Sequence, residues 1–336
     1  MLPEITRILC IQLRQIGDVL MTTPSVRALA RNYPQAKIHF LTETPSDQIY
    51  RENPYVDQVI TFPRKPGVKD WFRLIQRLRR ENYSVVIDFL GLPKTALLSS
   101  LIGVSCRIGF RFRGRSLFYS HSLALSPDVK YAPMHKLSLL SILGIESRDC
   151  QLEFFTSAED QKKAGAILQQ LQVKAGNPLI SVSPVSRRDY KVWPAEKFAA
   201  VCDYLIETYS AQILFLWGPG EAHFINEVKA KMNREPLDDY DIPTISETAA
   251  LIEKVDLHIG NDNGPMHFAI AVNRPTIAIF GRPLAENWTP PNNPNHIAIE
   301  YDPGCKRDCH YPHCKLECIT DVAIEPVKES IKQILG

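Results

Sequence analysis

The chain has 336 residues, more than the roughly 250–300 at which a single hydrophobic core stops growing, so we expect two domains. Its 45% hydrophobic and 23% charged residues exclude collagen, coiled-coil and disordered proteins. No apolar run approaches the roughly 18–20 residues of a membrane-spanning helix, which leaves a soluble protein or one that lies on a membrane surface. The first residues, Met1-Leu2-Pro3-Glu4, lack the pattern of a signal peptide. We therefore expect a cytoplasmic protein whose eight cysteines are not four disulfides.

The formal net charge of +2 hides an asymmetry between the two parts of the chain. Up to Phe155 there are 21 lysines and arginines against 13 acidic residues, and beyond it there are 18 against 24. Such a basic excess attracts phosphates or anionic lipid surfaces. It is concentrated in two clusters, the first of Arg64, Lys65, Lys69, Arg73, Arg77, Arg79 and Arg80, the second of Arg107, Arg111, Arg113 and Arg115. The first cluster fits equally well the solvated face of a helix around residues 70–82, whereas the second has no acidic residue close by in the sequence.

Short apolar runs of strand length recur along the chain with helical stretches between them. The predicted strands are residues 8–13, 37–41, 84–89, 179–183, 212–217, 257–260 and 276–280. Strands and helices in this rhythm predict parallel βαβ units. The fold class is therefore α/β, with two Rossmann-like parallel-sheet domains at 1–155 and 156–320 and a last helix in 321–336. A further helix at 161–172 is predicted at the junction.

In open parallel sheets, ligands bind beyond the carboxyl ends of the strands, so the residues that follow each strand are the candidates for a site. After the first strand, Pro24 suits the first turn of a helix with Thr23 as its cap. This predicts that Gly17 and Asp18 lie in the preceding loop. A carboxylate there fits a general base and also fits a structural acid, and the residues alone leave both open.

The loop after the predicted strand at 179–183 is rich in hydroxyl and cationic side chains. Ser186, Arg187, Arg188 and Lys191 precede Pro194, which suits the first turn of a helix. Donors beside a helix N-terminus are what a diphosphate requires, so we favour phosphate binding over a solvated basic loop.

Two later segments complete the pattern. Glu221 ends the Gly-rich turn Trp217-Gly-Pro-Gly-Glu221 and can accept hydrogen bonds from ribose hydroxyls, although a first-turn Glu also fits simple helix electrostatics. In Gly260-Asn-Asp-Asn-Gly-Pro-Met-His267, either Asp262 or Asn263 can cap a helix that opens at Pro265. The free N–H groups near Gly264 then suit an anion. His267, one turn into that helix, is either a ligand or a hydrogen-bonded core histidine.

Taken together, four segments resemble the ADP-heptose:lipopolysaccharide heptosyltransferase family, which is glycosyltransferase family 9. They are residues 15–24, 186–194, 217–221 and 261–267, and their order and spacing match over nearly the whole chain. The resemblance implies a GT-B fold, in which two Rossmann-like domains face a cleft. The N-terminal domain would bind the acceptor, the C-terminal domain would bind the nucleotide-sugar, and the last helix would pack back on the N-terminal domain.

The resemblance also implies an inverting transfer of a heptose or related sugar from an ADP-sugar donor to the lipopolysaccharide inner core. Asp18 occupies the position of the family's proposed base. Lys191, Ser186, Arg187, Arg188 and the helix start at Asp262, Asn263 and Gly264 would hold the departing ADP, with His267 donating to the phosphates and Glu221 holding the ribose. The cluster from Arg107 to Arg115 would bind the anionic lipid A and core acceptor, and the protein would lie peripherally on the inner face of the inner membrane. No cofactor would be required for catalysis.

Two features compete with this interpretation. Cys305, Cys309, Cys314 and Cys318 form a candidate structural zinc site by composition, although their spacing is not that of zinc ribbons or fingers, and packing of free thiols explains the segment equally well. Asp239-Tyr-Asp241 has the DxD form of metal-dependent glycosyltransferases but lies between prolines and is interpreted as a loop. The acidic second half argues against a nucleic-acid partner.

The alternative function is a non-catalytic nucleotide-binding or zinc-stapled interaction protein that retains the GT-B cleft. The absence of Gly-x-Gly-x-x-Gly and Gly-x-x-x-x-Gly-Lys-Ser/Thr patterns lowers the case for a dehydrogenase or a P-loop enzyme. The exact donor sugar, the acceptor position and the oligomeric state are left open by the sequence.

Overall fold

A computed structural model describes residues 4–237, 239–282, 284–305 and 309–336. The chain divides after Phe155 into two compact units. The residues on which the absence of a signal peptide was argued lie mostly outside the described part, which begins at Glu4. Among the described residues, no helix combines the length and the apolar character needed to cross a bilayer.

The first unit contains one six-stranded parallel sheet with the strand order β3-β2-β1-β4-β5-β6. Its strands are β1 (Arg7–Ile11), β2 (Lys37–Glu43), β3 (Gln58–Phe62), β4 (Val85–Asp88), β5 (Cys106–Phe110) and β6 (His121–Leu123). Its helices are α1 (Ile16–Leu20), α2 (Thr23–Asn32), α3 (Gln48–Arg51), α4 (Val68–Arg80), α5 (Pro93–Leu101) and α6 (Ala132–Ser138), with 3-10 turns at Ser116–Phe118 and Leu139–Leu143.

The second unit contains a five-stranded parallel sheet with the order β11-β10-β9-β7-β8. Its strands are β7 (Leu179–Ser183), β8 (Gln212–Phe215), β9 (Leu257–Asn261), β10 (Thr276–Phe280) and β11 (His296–Glu300). Its helices are α7 (Ala158–Gln170), α8 (Ala195–Tyr209), α9 (Ala222–Lys229), α10 (Ile245–Ile252), α11 (Gly264–Ala271), α12 (Glu317–Thr320) and α13 (Glu325–Leu335), with 3-10 turns at Asp189–Lys191 and Ala285–Asn287.

The predicted α/β class with two Rossmann-like parallel-sheet domains is confirmed. The central strands were predictable because helices cover both faces of a parallel sheet, so these strands read as continuous apolar runs. All five residues of β7, β9 and β10 are buried. The strands missing from the prediction are β3, β5, β6 and β11, and three of these keep exposed or half-exposed positions that break the apolar run. In β5 the half-buried Arg107 breaks it.

Two local predictions are corrected. Asp18 does not lie in a loop, because residues 16–20 form the short helix α1 before α2 begins at Thr23 with Pro24 in its first turn. The last helix begins at Glu325 rather than near residue 321. Its buried side chains Val327 and Ile331 belong to the core of the second unit. Packing of this helix on the N-terminal domain, which the resemblance implies, stays a prediction.

Trp193 anchors the core of the second unit beside the candidate phosphate loop. The side chain is 1% exposed, packs edge-on against Phe198 of α8, and donates its indole N–H to the carbonyl oxygen of Val322 at 2.9 Å. It therefore joins the segment before α8 to the segment before α13, with both apolar packing and a buried hydrogen bond.

We expect Trp193→Ala to lower the free energy of unfolding of the second unit by about 3–5 kcal/mol, because it leaves a large cavity and an unpaired carbonyl group. Urea titration followed by circular dichroism measures the change. Phe72→Ala, on an exposed face of the first unit, is the control and should change stability by less than about 0.5 kcal/mol. A Trp193→Ala protein as stable as the wild type would contradict this role.

Candidate functional site

Polar groups of the first unit gather where β1 and β4 end. Gln12 follows β1 directly, and Asp88 is the last residue of β4 and pairs in register with Ile11. Asp18 lies close by in the sequence, half-buried in the first turn of α1. Lys136 of α6 reaches the same place, where its Nζ donates to Oε1 of Gln12 at 3.1 Å. The predicted base therefore lies within electrostatic range of the buried Lys136.

Asp88 is held in this place by several donors. Its Oδ1 accepts the backbone N–H groups of Leu90 and Gly91, both at 3.0 Å, and its Oδ2 accepts the hydroxyl of Tyr119 at 2.7 Å. Burial raises the pKa of the Asp88 carboxyl above its ordinary value, and these hydrogen bonds offset only part of the rise. The side chain is fully buried, so it organises the end of β4 rather than facing solvent.

Sequence reasoning found Asp18 but missed Gln12, Asp88 and Lys136. A signal existed for the first two, since each is a polar residue directly at the end of a strand-length apolar run. Lys136 gave no local signal, because only the packing of α6 brings it there from more than a hundred residues away.

In the second unit, the ends of β7 and β9 bring three predicted residues together. Lys191 closes the 3-10 turn after β7, and its Nζ lies 2.5 Å from Oδ2 of Asp262, which follows β9. Nε2 of His267, one turn into α11, lies 4.0 Å from Oδ1 of the same carboxylate. Asp262 and His267 are buried, and Lys191 is partly exposed. This Lys191–Asp262–His267 cluster stands at the N-terminus of α11, and its role in nucleotide binding stays a prediction.

His267 is uncharged at neutral pH. Burial lowers its pKa to about 4; the charge of Asp262 opposes this shift and that of Lys191 adds to it. Its Nδ1 is buried and has no hydrogen-bond partner among the described residues. A neutral imidazole can form a hydrogen bond with a ligand, and it does so without adding a second positive charge to that of Lys191.

The other predicted nucleotide-binding residues have structural partners as well. Asn263 is the N-cap of α11: its Oδ1 accepts the N–H of Met266, and its Nδ2 donates to Oγ of Ser183 and to the carbonyl oxygen of Val185. Glu221 accepts the N–H of Gly218 at 2.8 Å and so closes the Gly-rich turn before α9. These contacts leave part of each carboxylate or amide for a ligand, and their binding roles stay predictions.

Arg187 and Arg188 are exposed in the loop after β7, and Ser186 accepts the N–H of Arg188. The loop is braced by the cysteine-rich segment of residues 305–318. Tyr311 of that segment packs edge-on against Tyr190 and donates its hydroxyl to Asp189 at 3.0 Å. On its other side the carbonyl oxygen of Tyr190 comes so close to Gly281 that any Cβ at that position would collide with it.

The four arginines proposed to bind an acceptor do not form one loop. Arg107 lies in β5, where its guanidinium donates to the carbonyl oxygens of Phe118 and Val104 and has a structural role. Arg115 donates to the carbonyl oxygen of Gly91 and lies over the Phe112 ring. Arg111 donates to the carbonyl oxygen of Ser122, and both Arg111 and Arg113 are exposed. Arg107 is therefore committed to structural hydrogen bonds, and acceptor binding by the four arginines stays a prediction.

The cysteines of the 305–318 segment are free thiols. Burial raises the pKa of Cys318, and the neighbouring Cys305, Cys314 and Cys309 raise it further. Thiols suit zinc, but within the described residues no three histidine, cysteine or acidic side chains are grouped to hold a metal ion. The structural zinc site stays a prediction. Asp239 and Asp241 lie outside regular structure, as interpreted from the sequence.

The two sets of residues suit different halves of a group transfer. A half-buried carboxylate beside a buried ammonium, as at Asp18, can accept a proton from a hydroxyl group. A lysine, a neutral histidine and a helix N-terminus, as near Lys191 and α11, can stabilise negative charge that develops on a phosphate.

The chain is similar to known glycosyltransferases in sequence and in fold. The family model for glycosyltransferase family 9 (heptosyltransferase) matches residues 71–319. The chain is 30% identical to lipopolysaccharide heptosyltransferase 3 of Escherichia coli K12 over 83% of each chain, and 25% identical to lipopolysaccharide heptosyltransferase 1 of Campylobacter coli over 98% of this chain and 99% of the relative. Its fold is similar to that of the E. coli ADP-heptose lipopolysaccharide heptosyltransferase II, with a TM-score of 0.81 at 21% identity over 98% of both chains.

We expect the His267 imidazole to titrate with a midpoint near pH 4, because burial disfavours its charged form. Since the folded state then binds fewer protons than the unfolded state, His267 costs stability as the pH falls below about 6.5. The Cε1–H resonance measures the midpoint, and its loss in His267→Gln assigns it. A midpoint near the ordinary value of about 6.5 would place the side chain in solvent and contradict the described burial.

Proposed function

Because the chain belongs to glycosyltransferase family 9, the heptosyltransferases, we propose that it transfers a heptose or related sugar from an ADP-sugar to the inner core of lipopolysaccharide. The observation that carries the proposal is the Lys191–Asp262–His267 cluster at the start of α11, which offers a cation, a neutral imidazole and a helix N-terminus to a leaving diphosphate. The names of the relatives support the substrates, since they are heptosyltransferases of lipopolysaccharide and one structure is of an ADP-heptose enzyme.

In the proposed reaction the acceptor hydroxyl attacks the anomeric carbon, the bond from that carbon to the diphosphate oxygen breaks, and ADP leaves. Asp18 takes the hydroxyl proton as the new bond forms, so a single displacement inverts the anomeric configuration. Lys191 and His267 stabilise the negative charge that develops on the diphosphate. Glu221 binds the ribose. The remaining phosphate contacts come from Ser186, Arg187 and Arg188. All chemistry in this scheme is supplied by side chains and backbone groups.

Lys191 has two electrostatic states in this scheme. Before the donor binds, its ammonium is neutralised by Asp262 at 2.5 Å. A diphosphate brings further negative charge to the same place, and the helix N-terminus and the exposed arginines of the loop then share it. Asp262 therefore positions Lys191 and limits the binding of simple anions.

We expect Asp18→Asn to bind ADP as the wild type does and to lose turnover by about 10²–10⁴-fold, because the isosteric amide cannot accept the proton. Lys191→Met should instead weaken ADP binding, since the binding cation is lost. Isothermal titration with ADP and release of ADP from ADP-heptose in the presence of a core acceptor measure the two effects. Undiminished turnover by Asp18→Asn would exclude Asp18 as the base.

The non-catalytic alternative makes a different prediction from the same experiment. A nucleotide-binding interaction protein would bind ADP and would consume no nucleotide-sugar with any core acceptor. Comparing thermal stabilisation by ADP, UDP, GDP and CMP identifies the nucleotide of the donor, because a family 9 enzyme should be stabilised most strongly by ADP.

We further propose that the protein associates peripherally with an anionic membrane through α4 and α5. Exposed apolar side chains lie on both helices: Val68 is 87% and Phe72 62% exposed on α4, and Leu97 and Leu101 are exposed on α5. The helices are neighbours, since Nε of Arg79 donates to the carbonyl oxygen of Leu101 at 2.8 Å. Residues 63–120 contain twelve lysines and arginines against three acidic residues. Apolar side chains surrounded by basic ones fit the interface of an anionic bilayer.

We expect Phe72→Glu to reduce binding to vesicles that contain anionic lipid by about tenfold or more, because it removes an apolar contact and adds a repelled charge. Cosedimentation at low and high salt measures the loss. Ile242→Glu, at a similarly exposed apolar position of the second unit, is the matched control and should bind as the wild type does. Equal losses in the two variants would remove α4 from the membrane contact.

A further inference from the structure

Lys136 is the one buried cation at the end of the first sheet among the described residues, and the reaction proposed above does not use it. Lys136 lies on α6 and is 8% exposed. The Nζ donates to Oε1 of Gln12 at 3.1 Å, and Nε2 of Gln12 donates to the carbonyl oxygen of Arg14. A buried ammonium is costly without an anionic partner, and a neutral amide alone does not provide one.

Two carboxylates supply the missing negative charge. Burial lowers the pKa of Lys136 to about 8, and the charges of Asp18, first, and Asp88, second, oppose that shift. Asp88 is fully buried and fixed by two backbone N–H groups and the Tyr119 hydroxyl. Asp18 is half-buried, so it is the member of the pair that a substrate can reach.

The attraction between Lys136 and Asp18 acts on both groups. The carboxylate favours the ammonium form of Lys136, and the ammonium equally favours the ionised form of Asp18. Without the ammonium, the ionised form of Asp18 would lose this stabilisation, and the carboxyl would hold its proton to a higher pH.

The other charged groups around α6 are already neutralised. Helix α2 packs against α6, and its Arg27 is paired with Asp149 and with Glu153, both at 2.8 Å. His135, on α6 itself, has a pKa lowered by burial. The 3-10 turn that follows, Leu139–Leu143, carries no charged residue. Lys136 is therefore the cation that balances the two carboxylates.

We propose that Lys136 is the positioning residue of Asp18: its buried ammonium, anchored on Gln12, keeps the Asp18 carboxylate ionised for the acceptor hydroxyl. This inference rests on the proposed function, because it takes Asp18 as the base. Lys136 touches neither substrate and acts through Asp18. Gln12 serves as its fixed acceptor, and Asp88 determines how much positive charge is left for the base.

The test compares Lys136→Gln and Lys136→Met with the wild type. We expect the acidic limb of the kcat profile to move upward by about one pH unit, so that kcat falls by about tenfold at pH values on that limb, and the KM for the ADP-sugar to stay within about threefold. Lys136→Arg keeps the charge and should restore much of kcat and the position of the limb. Leu137→Ala, a buried neighbour on α6, is the control for a structural effect: it should lower stability and leave the limb in place.

A second readout does not need turnover. In protein labelled at aspartate Cγ, the Asp18 resonance, assigned with Asp18→Asn, should titrate at higher pH in Lys136→Gln than in the wild type. An unchanged midpoint together with an unchanged acidic limb would overturn the inference. Circular dichroism and ADP binding, which the proposal assigns to the second unit, establish that each variant is folded; if Lys136→Met is not, Lys136→Gln decides.

The failures of the two proposals differ. If Asp18→Asn turns over normally, Asp18 is not the base and both proposals fall. If Asp18→Asn is inactive while Lys136→Gln keeps the wild-type limb and midpoint, only the positioning role of Lys136 is lost.

Discussion

The arrangement of both units depends on one constraint, which is that a charge buried at the end of a parallel strand needs a partner. Removing an ion from water costs several kcal/mol, so an unpaired charge at such a place would be strongly destabilising. The second sheet meets this constraint with the ion pair of Lys191 and Asp262, and the first sheet meets it with Lys136, Gln12 and two carboxylates. Each set lies where strands end and helices begin, which is where an α/β domain binds ligands.

The two sets are organised in opposite senses. In the second unit a carboxylate holds a cation that a phosphate can use, and a neutral histidine adds a hydrogen-bonding nitrogen without adding charge. In the first unit the Lys136 ammonium acts electrostatically on the Asp18 carboxylate, which is the proposed acceptor of a hydroxyl proton. A transferase that works by displacement needs both kinds of group, one for the proton and one for the leaving group.

The sequence predicted the strands that are buried on both faces and the proline-started helices, because each of these depends on residues that are close in the chain. It named Lys191, Asp262 and His267 as candidates, but not the contact between Lys191 and Asp262, which are 71 residues apart. It failed at half-exposed strands such as β3, and at β5, where Arg107 interrupts the apolar run. It also placed Asp18 in a loop, although five residues were enough for the helical turn of α1. The role of Lys136 could not be predicted for a different reason. Its partner Gln12 is 124 residues away in the chain, and no pattern within α6 indicates that contact.

The hydroxyl of Tyr311 on Asp189, and its ring against Tyr190, make the cysteine-rich segment a support for the loop that ends in Lys191. These two stretches are separated by more than a hundred residues, so their lengths have to suit each other. Transplanting the loop from a relative, in order to change donor preference, would therefore succeed only if residues 305–318 were exchanged with it.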